Sequence, residues 1–173
     1  MHGVRVECVR GDITAQKDVA AIVNAANAEL RSGGGVAGAI HHAAGPGLAR
    51  EARPLAPIRP GEAVITGAHD LPNRYVIHTL GPVYGQDRPE AELLANCYRN
   101  SLALAARQGL RTIAFPAIST GAYGFPADRA AKIAVREVRE FLKRELSVEK
   151  VTFVCFDARA RRAYDVAMKG GEA

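Results

Sequence analysis

The chain has 173 residues, of which 48% are apolar and 24% charged, a composition typical of a soluble globular protein. This length suits one domain over residues 1–173 with a sizeable core. No apolar run approaches the roughly 20 residues of a membrane span, so a membrane protein is not expected. The formal net charge of +5 favours anionic partners such as nucleotides and phosphorylated metabolites. Nucleic acid is a remote alternative, because the basic residues are spread out and tryptophan is absent.

The N-terminal segment and the cysteines indicate the compartment. Residues 1–12 carry scattered charges without an apolar centre, which is the pattern of a first strand and not of a targeting peptide. Cys8, Cys97 and Cys155 have no CxxC spacing, and each lies in an apolar segment. We therefore predict three buried free thiols, no disulfide, no metal site and no cofactor, in a reducing cytoplasm. No group of His, Asp and Glu has metal-ligand spacing.

Apolar, β-prone runs alternate with helical patterns along the chain. The predicted strands are residues 4–9, 19–26, 62–68, 75–81, 112–118 and 150–157. The predicted helices are residues 36–45, 89–109, 126–146 and 158–170. Several strands are apolar on both faces, as in central strands that helices cover. This order predicts one three-layer α/β domain with a mixed central sheet of about six strands.

Two glycine-containing loops follow predicted strands. The first, Gly33 to Gly38, spells G-x-G-x-x-G but does not directly follow a strand, and no strand-ending acid lies at the right distance, so a dehydrogenase-type dinucleotide site is not expected. What remains is a glycine backbone before a helix start, which presents N–H groups to an anion. The second loop, residues 117–126, precedes another helix start. Two such cradles suit a pyrophosphate, although the second also fits an ordinary turn.

Three segments together resemble the macrodomain family, in order and over essentially the whole chain. They are "GDITAQKDVAAIVNAANAELRSGGGVAGAIHHAAG", "PAISTGAYGFP" and "VTFVCFD". The resemblance implies a single α/β/α domain that binds ADP-ribose in a cleft at the carboxyl ends of its strands. Some macrodomains also hydrolyse ADP-ribose from proteins, from O-acetyl-ADP-ribose or from nucleic-acid ends.

At the adenine end, the resemblance implies that Asp12 accepts a hydrogen bond from the adenine amino group and that the Ile13 N–H meets a ring nitrogen. A carboxylate beside a pyrophosphate would repel it, so a position at the far end of the ligand is physically reasonable. The alternative is that Asp12 caps a short turn after the first strand. Phe156 resembles the residue that packs on adenine, and its alternative is an ordinary core residue.

At the other end, the resemblance implies that one loop wraps the distal ribose and pyrophosphate, where any Cβ would block the ligand. Its residues are Gly33, Gly34, Gly35 and Val36. Across from it, the loop of Ser119, Thr120, Gly121 and Ala122 closes over the pyrophosphate. Tyr123 lies against the distal ribose, unless it is an ordinary surface tyrosine.

Two asparagines and two histidines flank the first glycine loop. Asn27 resembles the residue that hydrogen-bonds the distal ribose, and we predict it as the catalytic residue, with a turn-forming role as the alternative. Asn24 is expected to tie the loop backbone together through its amide. His41 and His42 are interpreted as structural or surface groups.

Ala37 departs from the pattern of the MacroD-type hydrolases, which have an aspartate at this position that helps to activate water. Alanine cannot take a proton, and general-base catalysis typically contributes about 10²–10⁴-fold in rate. The resemblance leaves three functions open, namely hydrolysis of mono-ADP-ribose from acidic side chains, deacetylation of O-acetyl-ADP-ribose, and non-catalytic reading of ADP-ribosyl groups, with nucleic-acid binding as the remote alternative. The partner is ADP-ribose or an ADP-ribosylated protein or metabolite, and a monomer is expected.

Overall fold

A computed structural model describes residues 5–170. Within this range the chain forms six strands and five α-helices. The strands are β1 (Arg5–Arg10), β2 (Ala21–Ala25), β3 (Ala63–Gly67), β4 (Tyr75–Thr79), β5 (Thr112–Phe115) and β6 (Lys150–Cys155). The helices are α1 (Gly35–Ala44), α2 (Pro46–Ala52), α3 (Glu90–Arg107), α4 (Ala127–Arg144) and α5 (Ala158–Gly170). Two short 3₁₀ turns, Ile13–Ala15 and Arg53–Leu55, complete the regular structure of this range.

The strands form one mixed sheet in the order β1-β6-β5-β2-β4-β3. All neighbours are parallel except β3, which pairs antiparallel with β4 at the edge. The predicted mixed sheet is thereby confirmed. The register pairs Cys8 with Phe153 and Ile22 with Ala114. The central strands β6, β5 and β2 are buried along almost their whole length and therefore on both faces.

Helices cover both faces of the sheet and give the predicted three layers. On one face, α3, α4 and α5 bury the larger apolar cluster, which centres on Tyr98, Phe115 and Phe153. On the other face, α1 and α2 bury a smaller cluster around Ile22, Ile40 and other aliphatic side chains. Tight packing of α1 is possible because it is rich in alanine and glycine. No helix within the described residues is both long and apolar enough to cross a membrane.

The predicted elements differ from the observed ones mainly at their ends. β5 stops at Phe115 because Pro116 has no N–H for the ladder, whereas the prediction extended it to residue 118. Helix α2 was not predicted: Gly45 ends α1 with φ of 81°, and Pro46 then starts a new helix at once. Residue 4 of the first predicted strand lies outside the described residues.

The carboxyl ends of β1, β6, β5 and β2 meet at one edge of the sheet, because these strands are neighbours and parallel. The segments that leave this edge carry Asp12, Phe156, Ser119 and Asn27, in that spatial order. Four strands span three spacings of about 4.8 Å, or about 14 Å. An elongated ligand that lies across this edge therefore meets all four segments.

Candidate functional site

A cleft of about 750 Å³ lies at this edge of the sheet. Such a volume falls within the range of small-molecule sites. Every residue that the sequence predicted as binding lines this cleft: Asp12, Ile13, Asn27, Gly33, Gly34, Gly35, Val36, Ser119, Thr120, Gly121, Ala122, Tyr123 and Phe156. Their individual contacts with a ligand stay predictions.

Asp12 caps the 3₁₀ turn of Ile13–Ala15, which was the alternative role considered for it. Its Oδ1 accepts hydrogen bonds from the Thr14 N–H at 2.8 Å and from the Thr14 hydroxyl at 2.7 Å. These bonds hold the pKa of the Asp12 carboxyl below its usual range. Because both bonds use the same oxygen, the second oxygen retains its capacity to accept. Asp12 can therefore cap the turn and still accept a hydrogen bond in the cleft.

Phe156 lies on the surface at the end of the cleft that follows β1 and β6, with 86% of its area exposed. The alternative of a core residue is therefore excluded. The neighbouring Asp157 and Arg159 also line the cleft, and neither was predicted from the sequence. Asp157 Oδ1 accepts from the Ala160 N–H at 2.9 Å and thereby caps α5. The position of an aspartate directly before the predicted helix of residues 158–170 was the sequence signal for this cap.

Asn27 is held by the loop that follows β2. Its Nδ2 donates to the Arg31 carbonyl at 2.9 Å, and its Oδ1 accepts from the Arg31 N–H at 2.9 Å. Leu30, which lies between Asn27 and Arg31 in the sequence, has a φ of 58°. Its side chain is buried in a small apolar cluster and anchors the loop. A primary amide has two donors and two acceptor lone pairs. One donor and one lone pair of Asn27 therefore remain, in an orientation that the loop fixes.

The structure requires glycine at two positions of the first glycine loop, for different reasons. Gly35 has φ of 57°, which disfavours any residue with a Cβ. At Gly38, a Cβ would lie only 2.2 Å from the Gly33 carbonyl oxygen, so the loop passes directly over α1. At Gly34, by contrast, a Cβ would meet no protein atom within 4 Å. The N-terminus of α1 has no side-chain cap, so its N–H groups are available to an anion.

Ser119 lines the cleft, but its side chain is anchored in the protein. Its hydroxyl donates to the Pro82 carbonyl at 2.9 Å, and its φ is 69°. This loop was predicted to close over the pyrophosphate. Because the Ser119 hydroxyl donates its proton to the Pro82 carbonyl, Ser119 contributes its backbone, and not its hydroxyl proton, to the cleft. Thr120 also lines the cleft and carries the second hydroxyl of this loop.

A buried polar group lies behind α1. Asn24 is fully buried, and its Nδ2 lies 3.1 Å from His78 Nδ1. The expectation that Asn24 ties the loop backbone together is therefore wrong, because its amide contacts a core histidine. Burial lowers the pKa of His78 to about 3, with a smaller contribution from His41. His41 is buried and His42 exposed, as structural and surface groups.

The three cysteines were predicted to be free and buried; the first property is confirmed for all three and the second for two. All three are free, and Cys97 and Cys155 are buried, whereas Cys8 is partly exposed. The two sulfurs of Cys8 and Cys155 lie 3.4 Å apart on neighbouring strands.

The surroundings of Asn27 limit the chemistry of the cleft. The carboxylates that line the cleft are Asp12 and Asp157, which follow β1 and β6, away from the β2 end. Ala37, which lines the cleft from the first turn of α1, is 5% exposed and offers no proton acceptor. Within residues 5–170, no group of three or more His, Cys, Asp or Glu side chains is arranged to hold a metal ion.

Comparisons with known proteins assign the chain to a family. The Macro domain family model matches residues 23–134. A macro domain-containing protein of Chlorobaculum tepidum is 53% identical over 169 residues, which cover 97% of this chain and 98% of that protein. An O-acetyl-ADP-ribose deacetylase of Klebsiella pneumoniae is 54% identical over 166 residues, which cover 93% of this chain and 94% of that one. The chain belongs to the macrodomain family.

A solved structure supports the same conclusion. A mutant of the Oceanobacillus iheyensis macrodomain with ADP-ribose is 43% identical, with a TM-score of 0.89 over 94% of this chain and 90% of that one. That mutant carries valine in place of a glycine, and the same macrodomain has been solved with an asparagine or an aspartate replaced by alanine. The substituted glycine and aspartate follow the asparagine by seven and ten residues. Gly34 and Ala37 follow Asn27 by the same intervals.

Proposed function

We propose that the cleft binds ADP-ribose and that the protein hydrolyses the acetyl ester of O-acetyl-ADP-ribose. The observation that carries this proposal is the uncapped N-terminus of α1, which lines the same cleft as the Ser119–Tyr123 loop. Backbone N–H groups and the positive end of a helix dipole stabilise a pyrophosphate without a lysine. The ADP-ribose in the Oceanobacillus relative and the deacetylase name of the Klebsiella relative support the choice of ligand and reaction.

The order of the strands orients the ligand along the cleft. Asp12 and Phe156, to which the family resemblance assigns the adenine, follow the neighbouring strands β1 and β6, and we therefore propose that adenine lies at this end. There the free oxygen of Asp12 accepts from the adenine amino group, the Ile13 N–H donates to a ring nitrogen, and the exposed ring of Phe156 packs on the base. Asn27, after β2, then meets the distal ribose with its remaining donor and lone pair.

The reaction must proceed without a protein carboxylate beside the ribose. Water attacks the acetyl carbonyl carbon, a new C–O bond forms, the ester C–O bond breaks, and the products are acetate, ADP-ribose and a proton. Ala37 cannot accept that proton, so the cleft contributes orientation. Asn27 and the glycine loop hold the ester where water can reach it, and such positioning alone lowers a barrier substantially. We therefore expect slow but specific turnover.

A non-catalytic reader is the second candidate function, and a specific observation favours it. The same ten-residue interval that separates Asn27 from Ala37 separates asparagine from aspartate in the Oceanobacillus macrodomain. This chain thus has alanine where that relative has a carboxylate. Hydrolysis of mono-ADP-ribose from acidic side chains is tested alongside deacetylation, because both reactions cleave an ester and release ADP-ribose.

Gly34 follows Asn27 by seven residues, and this position changes the expected effect of adding a side chain to the glycine loop. The Oceanobacillus mutant with valine at the corresponding interval holds ADP-ribose. A Cβ at Gly34 also meets no protein atom. We therefore expect Gly34→Val to remain folded and able to bind, in contrast to the expectation that any Cβ in this loop blocks the ligand.

Binding is tested by calorimetric titration with ADP-ribose at several salt concentrations. A pocket for one pyrophosphate weakens gently with salt, whereas a protein that contacts many nucleic-acid phosphates weakens steeply. One-site binding with a shallow salt dependence supports the proposal. Failure to bind ADP-ribose, together with steeply salt-dependent binding of an oligonucleotide, would replace it with the nucleic-acid alternative. We further propose that the protein acts as a monomer in a reducing cytoplasm, a setting in which its three free cysteines stay reduced.

A further inference from the structure

The loop that closes the cleft between β5 and α4 is held from outside the cleft. Within the loop, the Phe125 N–H donates to the Ser119 carbonyl at 2.9 Å and the Gly124 N–H donates to the Gly121 carbonyl at 3.1 Å. These two bonds fold the loop on itself. They do not fix its position relative to the cleft, which requires a contact with another segment.

The segment after β4 supplies that contact at two points. The Ser119 hydroxyl donates to the Pro82 carbonyl at 2.9 Å, and the Tyr84 N–H donates to the Tyr123 carbonyl at 2.8 Å. The second bond is the more informative, because Tyr123 lines the cleft and Tyr84 does not. The position of the Tyr123 backbone therefore depends on where Tyr84 is held.

Tyr84 is held by an aromatic and cationic contact with the start of α4. Its ring meets the Phe125 ring edge-on, with 5.0 Å between centroids. The Arg129 guanidinium lies 5.6 Å from the Tyr84 ring and 5.8 Å from the Phe125 ring. Arg129 Nη1 also donates to the Tyr84 hydroxyl at 2.7 Å. Arg129 thus clamps both rings, although Tyr84 and Arg129 are themselves exposed.

We propose that Tyr84, clamped by Arg129, is a positioning residue that fixes the Ser119–Tyr123 loop over the distal half of the ligand. This inference rests on the proposed function, since it assigns the loop to the pyrophosphate and distal ribose. Neither residue touches the ligand. Their effect reaches it through the Tyr84 N–H and the Tyr123 backbone, and it does not extend to the adenine end beside β1 and β6.

The test compares binding of ADP-ribose and AMP to wild type, Tyr84→Ala, Tyr84→Phe and Arg129→Ala. AMP lacks the second phosphate and the distal ribose. Tyr84→Ala is expected to weaken ADP-ribose binding about tenfold, because the ligand must then order the loop, while AMP binding changes less than about threefold. Arg129→Ala is expected to weaken ADP-ribose binding in the same direction. Tyr84→Phe keeps the ring and should fall between wild type and Tyr84→Ala.

Arg144→Ala is the matched control, because Arg144 makes the same kind of contact at the other end of α4. Its guanidinium lies 5.6 Å from the Phe141 ring, at the end of α4 that points away from the loop. This variant should bind both ligands as wild type does. Amide hydrogen exchange gives a second readout without ligand: the N–H of residue 84, which donates to the Tyr123 carbonyl, should be less protected from exchange in Tyr84→Ala than in wild type.

The outcomes separate this proposal from the proposed function. If wild type binds no ADP-ribose, the proposed function fails and this inference fails with it. If wild type binds but Tyr84→Ala weakens ADP-ribose and AMP equally, or weakens neither, only the positioning role is overturned. Unchanged protection of the residue 84 amide in a folded Tyr84→Ala protein would also overturn it.

Discussion

Gly38 provides a sharp test of the glycine loop, because the structure predicts the opposite of the usual effect of its substitution. Replacing a helix-interior glycine by alanine normally stabilises a protein by roughly 0.5–1 kcal/mol. In Gly38→Ala, however, the new Cβ would lie 2.2 Å from the Gly33 carbonyl oxygen and 3.3 Å from its carbonyl carbon. Backbone atoms cannot rotate away, so the loop must move by about 1 Å to restore an ordinary contact.

The expected cost follows from that displacement. Overpacking costs about 1–3 kcal/mol, which outweighs the gain in helix propensity. Gly38→Ala should therefore lower the free energy of unfolding, measured by urea denaturation with an unchanged m-value. It should also weaken ADP-ribose binding, since Gly33 lines the cleft and moves with the loop.

Gly121→Ala is the matched control for stability, because a Cβ there meets no atom within 4 Å. Its free energy of unfolding should equal or exceed that of wild type. If Gly38→Ala is as stable as wild type or more so, the Gly33 carbonyl does not lie over α1 and the described path of the loop is wrong.

Three further predictions concern the adenine end, the buried histidine and the cysteines. Asp12→Ala should weaken binding of ADP-ribose more than binding of ribose-5-phosphate, because Asp12 acts on adenine; equal losses in calorimetry would contradict that role. Burial keeps His78 neutral in the folded protein down to about pH 3, whereas His78 in the unfolded chain takes up a proton below about pH 6.5. The free energy of unfolding should therefore fall as the pH drops from 6.5. This group contributes a slope of up to about 1.4 kcal/mol per pH unit. Urea denaturation between pH 7 and 5 measures that slope, and an equally steep slope in His78→Gln would show that another group causes it. Iodoacetamide should label Cys8 before Cys97 in the folded protein, since a hydrogen bond with Cys155 lowers the pKa of Cys8 whereas burial raises the pKa of Cys97 to about 11; peptide mass spectrometry that found Cys97 labelled first would refute this order.

The elements were easier to predict from the sequence than the partners of their side chains. All six strands of the described range were found because each is a short, largely apolar, β-prone run, and several, such as residues 150–155, are apolar on both faces as is typical of a central strand. Helix α2 was missed, since Gly45 and Pro46 look like the end of one helix but also start the next. Each segment that was predicted to bind the ligand lines the cleft, because motifs at strand ends converge when parallel strands are neighbours.

The partners of particular side chains were not predictable, because they depend on segments that are distant in the chain. Asn24 contacts His78 across β2 and β4, and Ser119 bonds to Pro82, 37 residues away. The reason for a glycine at residue 38 also lies in the path of the loop, which no local pattern encodes. The clamp of Tyr84 by Arg129 joins residues 45 positions apart and likewise required the structure.

Release of ADP-ribose from O-acetyl-ADP-ribose, followed over time for wild type and Asn27→Ala, decides whether this macrodomain is a hydrolase. A glutamate-linked mono-ADP-ribosylated protein is run in parallel. We expect slow turnover of the acetyl ester by wild type and a large loss in Asn27→Ala, since Asn27 orients the distal ribose. No release by a wild-type protein that binds ADP-ribose would contradict the hydrolase and leave a reader of ADP-ribosyl groups.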